Sequence, residues 1–254
     1  MRPSLFHVAM PREAACFRQA FNEHSTKEST SLYDSYESSM FTLIVSGIGK
    51  VNTAAALAAA VSRFRPRRVI NIGFCAGIVD SVRRGSVLVG DAVIVYDYGH
   101  FENGKWLLVP MGQPTLDYAI AHGNDERILS RVSGINFDLA MRDKIKSILI
   151  NNISTGTVPS QLSVNTGCLA SGDTFVCDAK EARRIQQMTG AVAIDMESGA
   201  VAHVCRKLGV SCSTVKVVSD SASNVTPDDY CDHSGDIGEL LRLVAGALIG
   251  ELGR

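Results

Sequence analysis

Short β-branched runs and longer stretches with apolar residues three and four apart take turns along this chain, which is the pattern of strands alternating with helices. Ser4 to Ala9 reads as a first strand, and Pro11 then fits the first position of a helix through Glu13, Ala14 and Phe17. The polar, Ser/Thr-rich stretch from Asn22 to Ser39 reads as a hairpin or loop. Phe41 to Ser46 is a second strand; it runs through Gly47-Ile48-Gly49-Lys50 into an Ala-rich helix from about Val51 to Phe64. Arg68 to Gly73 is a third, closing on a small-residue turn at Phe74-Cys75-Ala76-Gly77. Ser86 to Tyr98 makes a long strand with a break or bulge at Gly90-Asp91.

The middle of the chain is less regular. His100 to Thr115 reads as a loop, Asn124 to Ser133 as a weak helix and Leu139 to Ile150 as a better one. Thr166 to Ser171 is a strand leading into Gly172-Asp173-Thr174-Phe175, and Ala179 to Met188 a charged amphipathic helix. Ala191 to Ile194 is a short apolar strand, and Ser198 to Val204 continues at helical spacing, so Asp195-Met196-Glu197 sits where a strand hands over to a helix. Ser213 to Ser219 is the last strand, followed by Asp220, and Asp236 to Leu252 closes the chain as an amphipathic helix. This order predicts an α/β fold in a single domain over residues 1–254, with a central mixed, mostly parallel sheet flanked by helices.

Composition narrows the class of function. Hydrophobic residues make up 46% of 254 residues and charged ones 20%, and the net charge of -1 offers nothing to nucleic acid or an anionic membrane. No apolar run approaches the ~20 residues of a membrane span, and the N-terminal segment has no basic region followed by a long apolar stretch, so a cytoplasmic location is expected. Seven scattered cysteines without a CxxC pair read as buried thiols, and neither they nor the six histidines have metal-ligand spacing. No metal or cofactor is expected.

The acidic triplet is the first candidate for chemistry, because carboxylates flanked by apolar sequence need a cation, a ligand hydroxyl or a backbone N–H as partner. Taken alone, such acids are better explained by capping of the following helix. Glu13, the Gly47 and Gly73 turns, Phe175, the triplet and Asp220 all fall just past expected strand ends. If the strands are parallel, these residues share one rim, where open α/β sheets bind ligands. Three acids on one rim cannot all ionise without separating their pKa values, which leaves one as a proton donor near neutrality.

In order, Ala9-Met10 with Glu13, SGIGKVN (Ser46 to Asn52), NIGFCAG (Asn71 to Gly77), Gly90-Asp91, SGDTF (Ser171 to Phe175), AIDMESGAVAHVC (Ala193 to Cys205) and VVSD (Val217 to Asp220) resemble the motifs of the 5'-methylthioadenosine/S-adenosylhomocysteine nucleosidases, within the purine nucleoside phosphorylase superfamily. The resemblance implies a nucleoside phosphorylase-like fold and hydrolysis of the N-glycosidic bond of a purine nucleoside, with release of adenine. It implies that Asp220 is the acid at purine N7, oriented by Ser219, and that Glu13 holds and activates the attacking water. Glu197 would accept the ribose hydroxyls, Met196 would pack beneath the sugar, Phe175 would stack on the purine and the Val176 backbone would read its edge. A homodimer is implied as well.

Three departures accompany the resemblance: Phe74 where the family has Ser or Thr, Asp195 where it has Glu, and an unmatched stretch between about Gly99 and Asn165. Two rivals share the fold. A phosphorylase would hold phosphate with arginines, yet Asn71-Ile72 stand where one is expected and Glu13 replaces another, leaving only the adjacent Arg12. A non-catalytic nucleoside-binding protein would keep the carboxylates for binding alone. An NAD-binding protein lacks its glycine fingerprint here.

Overall fold

The computed structural model describes residues 3–20, 25–111, 134–222 and 234–252. Its strands are β1 (Ser4–Val8), β2 (Thr26–Ser29), β3 (Asp34–Glu37), β4 (Phe41–Val45), β5 (Arg68–Gly77), β6 (Val87–Val95), β7 (Gly99–Glu102), β8 (Lys105–Leu108), β9 (Ile135–Asn136), β10 (Val164–Ser171), β11 (Ala193–Asp195) and β12 (Ser211–Ser221). Its helices are α1 (Pro11–Gln19), α2 (Lys50–Phe64), α3 (Leu139–Ser154), α4 (Ala179–Thr189), α5 (Ser198–Leu208) and α6 (Ser234–Leu252).

One sheet carries nearly all the strands, in the order β11-β10-β6-β12-β5-β1-β4-β3-β2, with β9 added to β6. Parallel pairings join β4, β1, β5 and β12 on one side and β6, β10 and β11 on the other. The two groups meet antiparallel at β6–β12, and β11 also pairs antiparallel with the end of β5, so five strands close on themselves. The sheet is therefore the mixed α/β sheet that the sequence predicts. The rim picture needs a correction. Glu13 and Asp220 come from the group that runs with β5, whereas β11 and Asp195 arrive from the opposed group across the β11–β5 seam, where Ile194 faces Ala76.

Strand residues alternate between two helix layers because successive side chains point to opposite faces. Phe6, Val8, Ile70, Ile72, Val215 and Val217 pack with α1, α3 and α6, while Leu5, Val69, Leu88 and Val218 pack with α2 and α5. The Phe17 ring of α1 lies 5.0 Å from Phe6 and 5.3 Å from Phe41, which pins that helix, and Glu13 with it, to the sheet.

Several boundaries differ from the sequence reading. Phe74 to Gly77 is strand, not turn, because β12 pairs with β5 along its full length. For the same reason Asp220 lies inside β12, opposite Ala76 and just past a register shift after Val218, not beyond the strand's end. Of the stretch from Asn22 to Ser39, the described residues, from 25 onward, form the hairpin alternative, β2 with β3, and the loop expected from His100 contains the β7–β8 hairpin, where Phe101 stacks 5.1 Å from Trp106. The helix expected over Asn124 to Ser133 lies outside the described residues. Of the cysteines expected to be buried, Cys75, Cys205 and Cys212 are, Cys16 and Cys168 are half-buried and Cys177 is exposed; Cys231 lies outside the described residues. No helix among the described residues is long and apolar enough to cross a membrane.

Truncating Phe17 to Ala is expected to lower the unfolding free energy in urea by roughly 3–5 kcal/mol. A loss below about 1 kcal/mol would show that other contacts hold α1.

Candidate active site

A cleft with about 620 Å³ of empty space, its open mouth included, gathers every site residue that the sequence singles out: Glu13, Phe175, Val176, Met196, Glu197, Ser219 and Asp220. It is of a size that takes small molecules. The seam between β11 and β5 forms its floor, and the turns after β1 and β10 form its walls.

Glu13 reaches the cleft because α1 starts immediately after β1, with Pro11 as its first residue. Its Oε2 accepts hydrogen bonds from the backbone N–H groups of Ala9 and Met10, both at 2.9 Å, and its Oε1 accepts one from Phe74 N–H at 2.9 Å. A carboxylate offers about four acceptor positions, so this one is oriented by three and keeps one. Gly73 is required beside it, since a Cβ there would overlap Oε1. Burial raises the Glu13 carboxyl above the usual range, against the pull of Lys216 and the three N–H groups.

The acidic triplet divides its work. Asp195, the last residue of β11, takes Ser198 N–H on both oxygens at 3.1 Å and also accepts the Ser198 hydroxyl, so it supplies the capping that the sequence left open. Glu197, at the helix boundary, makes no such cap and turns into the cleft, where its Oε1 accepts Gly49 N–H at 3.1 Å. Burial pushes the Glu197 carboxyl up to about 7; Lys216 opposes this, while Asp195 and Glu13 add to it. Asp220 is likewise raised by burial, and Ser219 Oγ sits 2.7 Å from its Oδ2.

Lys216 is the residue that sequence reading missed. It lies in the middle of β12, fully buried, with Nζ 3.0 Å from Asp195 Oδ2. Burial opposes its charge, but Asp195, then Glu197 and Glu13, outweigh that and hold the ammonium above its usual range. The signal was present in STVKVVS, because a lysine inside an otherwise apolar run, in a strand covered on both faces, must have an anionic partner. A second buried chain supports Asp195 from behind. His7 Nδ1 lies 2.9 Å from Asn71 Oδ1, and Asn71 Nδ2 donates to Ser198 Oγ at 2.9 Å and Thr214 Oγ1 at 3.1 Å. Since both amide hydrogens point away from His7, the ring must donate through Nδ1–H.

Phe175 lines the cleft and is 39% exposed. Phe74, the bulky departure, borders the cleft but is buried against the α1 side of the sheet. Among the described residues no side chain that lines the cleft is cationic, and no group of His, Cys, Asp and Glu has the arrangement of a metal site.

Residues 5–249 match the family model described as "Phosphorylase superfamily". This chain belongs to the phosphorylase superfamily. Among its relatives, a 5'-methylthioadenosine/S-adenosylhomocysteine nucleosidase from Shewanella sp. is 26% identical over 208 residues, which cover 82% of this chain and 79% of the relative. Among solved structures, the nucleosidase of that name from Helicobacter pylori, bound to butyl-thio-DADMe-Immucillin-A, is similar with a TM-score of 0.80 at 18% identity, covering 99% of each chain. The native futalosine hydrolase of Helicobacter pylori gives the same TM-score, identity and coverage. At that identity the two structures share the superfamily fold.

Within this superfamily fold the buried ammonium is expected to be essential to the acids around it. Replacing Lys216 by Met should cost roughly 3–5 kcal/mol of stability at pH 8. Glu13 and Glu197 already titrate above their unfolded values, so their burial is least costly below about pH 4.5 and becomes costly as pH rises through the folded pKa. Removing the lysine raises those values further, so the loss should be smaller at pH 5. Urea titration at the two pH values checks this, and an equal loss at both would contradict it.

Proposed function

We propose that this protein hydrolyses the N-glycosidic bond of a purine nucleoside such as 5'-methylthioadenosine or S-adenosylhomocysteine and releases adenine. The observation that carries the reading is one cleft lined by the carboxyl groups of Glu13, Glu197 and Asp220, with the buried ammonium of Lys216 behind them. The nucleosidase relatives support adenine nucleosides as the substrate class.

Each group has a step that its surroundings suit. Breaking the bond leaves positive charge on the ribose and negative charge on the departing purine. Asp220, whose carboxyl is made easier to protonate by burial, is the acid that gives a proton to purine N7, and Ser219 fixes the carboxyl's rotation. Glu13, with three acceptor positions occupied, presents its remaining one to a water poised at C1'; the water oxygen bonds to C1' as the bond to N9 breaks, and its proton passes to Glu13. Glu197 accepts the ribose hydroxyls, Met196 packs against the sugar, and Phe175 with the Val176 backbone holds the purine. The negative cluster also stabilises the positive ribose.

Water is favoured over phosphate by charge. A phosphate dianion would enter a cleft lined by carboxyls and by no cation among the described residues, at a cost that a neutral water does not meet. The reading includes a homodimer in the cytoplasm, with a role in salvage of the methylthio nucleoside.

Replacing Asp220 by Asn should cut adenine release from 5'-methylthioadenosine by about 10²–10⁴-fold while the nucleoside still binds. Chromatographic assay of adenine together with calorimetry checks both halves. Turnover within about threefold of wild type would remove Asp220 from the acid's role.

A further inference from the structure

We propose that Lys50 is a positioning residue that locks the sugar wall of the cleft to its purine wall through Asp97 and Asp173. The roles of the two walls rest on the nucleosidase reading; the lock itself rests on geometry. Helix α2 begins at Lys50 after Gly49, which has no side chain with which to cap it. Its leading N–H groups are orphans that need acceptors from elsewhere. Two carboxylates from distant segments supply them: Gly49 N–H donates to Glu197 Oε1 at 3.1 Å, and Lys50 N–H donates to Asp173 Oδ1 at 2.7 Å. Both carboxyl groups thus sit at the positive end of the helix.

The Lys50 side chain closes the ring. Its ammonium pairs with Asp97, just past the end of β6, and lies 3.5 Å from Asp173 Oδ2. Asp97 Oδ2 in turn accepts Asp173 N–H at 2.8 Å. Asp173 is thereby held at its N–H and at both carboxylate oxygens, two residues before Phe175. Without the ammonium, Asp97 and Asp173 would be left as neighbouring like charges, and the segment carrying Phe175 would move away. An exposed ion pair would do little here, but only 15% of the Lys50 side chain is exposed and it serves two acids. The preceding residue, Gly49, supplies the N–H that Glu197 accepts, so the purine and ribose walls are anchored at adjacent residues of one helix start.

Lys50→Met and Lys50→Arg test the lock in three readouts. In the Met variant, KM for 5'-methylthioadenosine and the Kd for adenine should rise about tenfold, with kcat within about threefold of wild type, and the Arg variant should recover most of the loss. Amide hydrogen exchange of the ligand-free Met variant should speed up about tenfold over Gly172 to Val176 and over Gly47 to Lys50, with Ile70 to Ile72 in the core unchanged. A Met variant with unchanged KM and unchanged exchange in these segments overturns the proposal, as does loss of protection spread equally through the core. If wild type releases no adenine, the nucleosidase reading fails, and exchange, which needs no ligand, still decides the role of Lys50.

Discussion

Burying an ammonium among three carboxyl groups is the constraint on which this molecule turns. Removing one such ion from water costs several kcal/mol even after relaxation. A pair at 3.0 Å returns roughly 5 kcal/mol at an effective dielectric of about 20, which offsets only part of the cost of burying both Lys216 and Asp195. The additional field of Glu197 and Glu13 tips Lys216 toward the charged state. Burial keeps Glu197 and Glu13 easier to protonate than ordinary glutamates, and for Glu197 the nearby Asp195 and Glu13 add to it. One cation thus holds the cluster together and leaves it negative.

The fold serves this cluster by bringing its members in from both strand groups. Glu13 comes from the helix after β1, Lys216 and Asp220 from β12, and Asp195 and Glu197 from the end of β11 and the start of α5. A sheet open at β11 would leave Asp195 far from Lys216; pairing of β11 with the end of β5 closes that gap. Behind it, the chain from His7 through Asn71 to Ser198 orients hydrogen bonds toward Asp195 without exposing a polar group to the cleft. Electrostatics and topology therefore depend on the same seam.

Much of this could be read in the sequence, because strands such as FTLIVS and STVKVVS and the helices after Pro11 and Ser198 carry strong local signals. The seven residues singled out for the site share one cleft because motifs just past strand ends converge wherever the strands do. What local pattern could not supply was pairing over distance. Phe74 to Gly77 resembles a turn until β12 is laid beside it, and that pairing also puts Asp220 inside a strand. Lys216 passed unnoticed because its meaning depends on Asp195, Glu197 and Glu13, each contributed by another part of the chain. Asp97 and Asp173 escaped for the same reason, being ordinary loop acids until Lys50 joins them.

In the proposed reaction, a cleft of carboxyl groups built on a buried lysine directs water, not phosphate, to the sugar. This is tested most directly by the identity of the sugar product when 5'-methylthioadenosine is turned over with and without inorganic phosphate. Free 5-methylthioribose, formed at the same rate in both conditions, is the expected product. A sugar 1-phosphate, or turnover that requires phosphate, would contradict it.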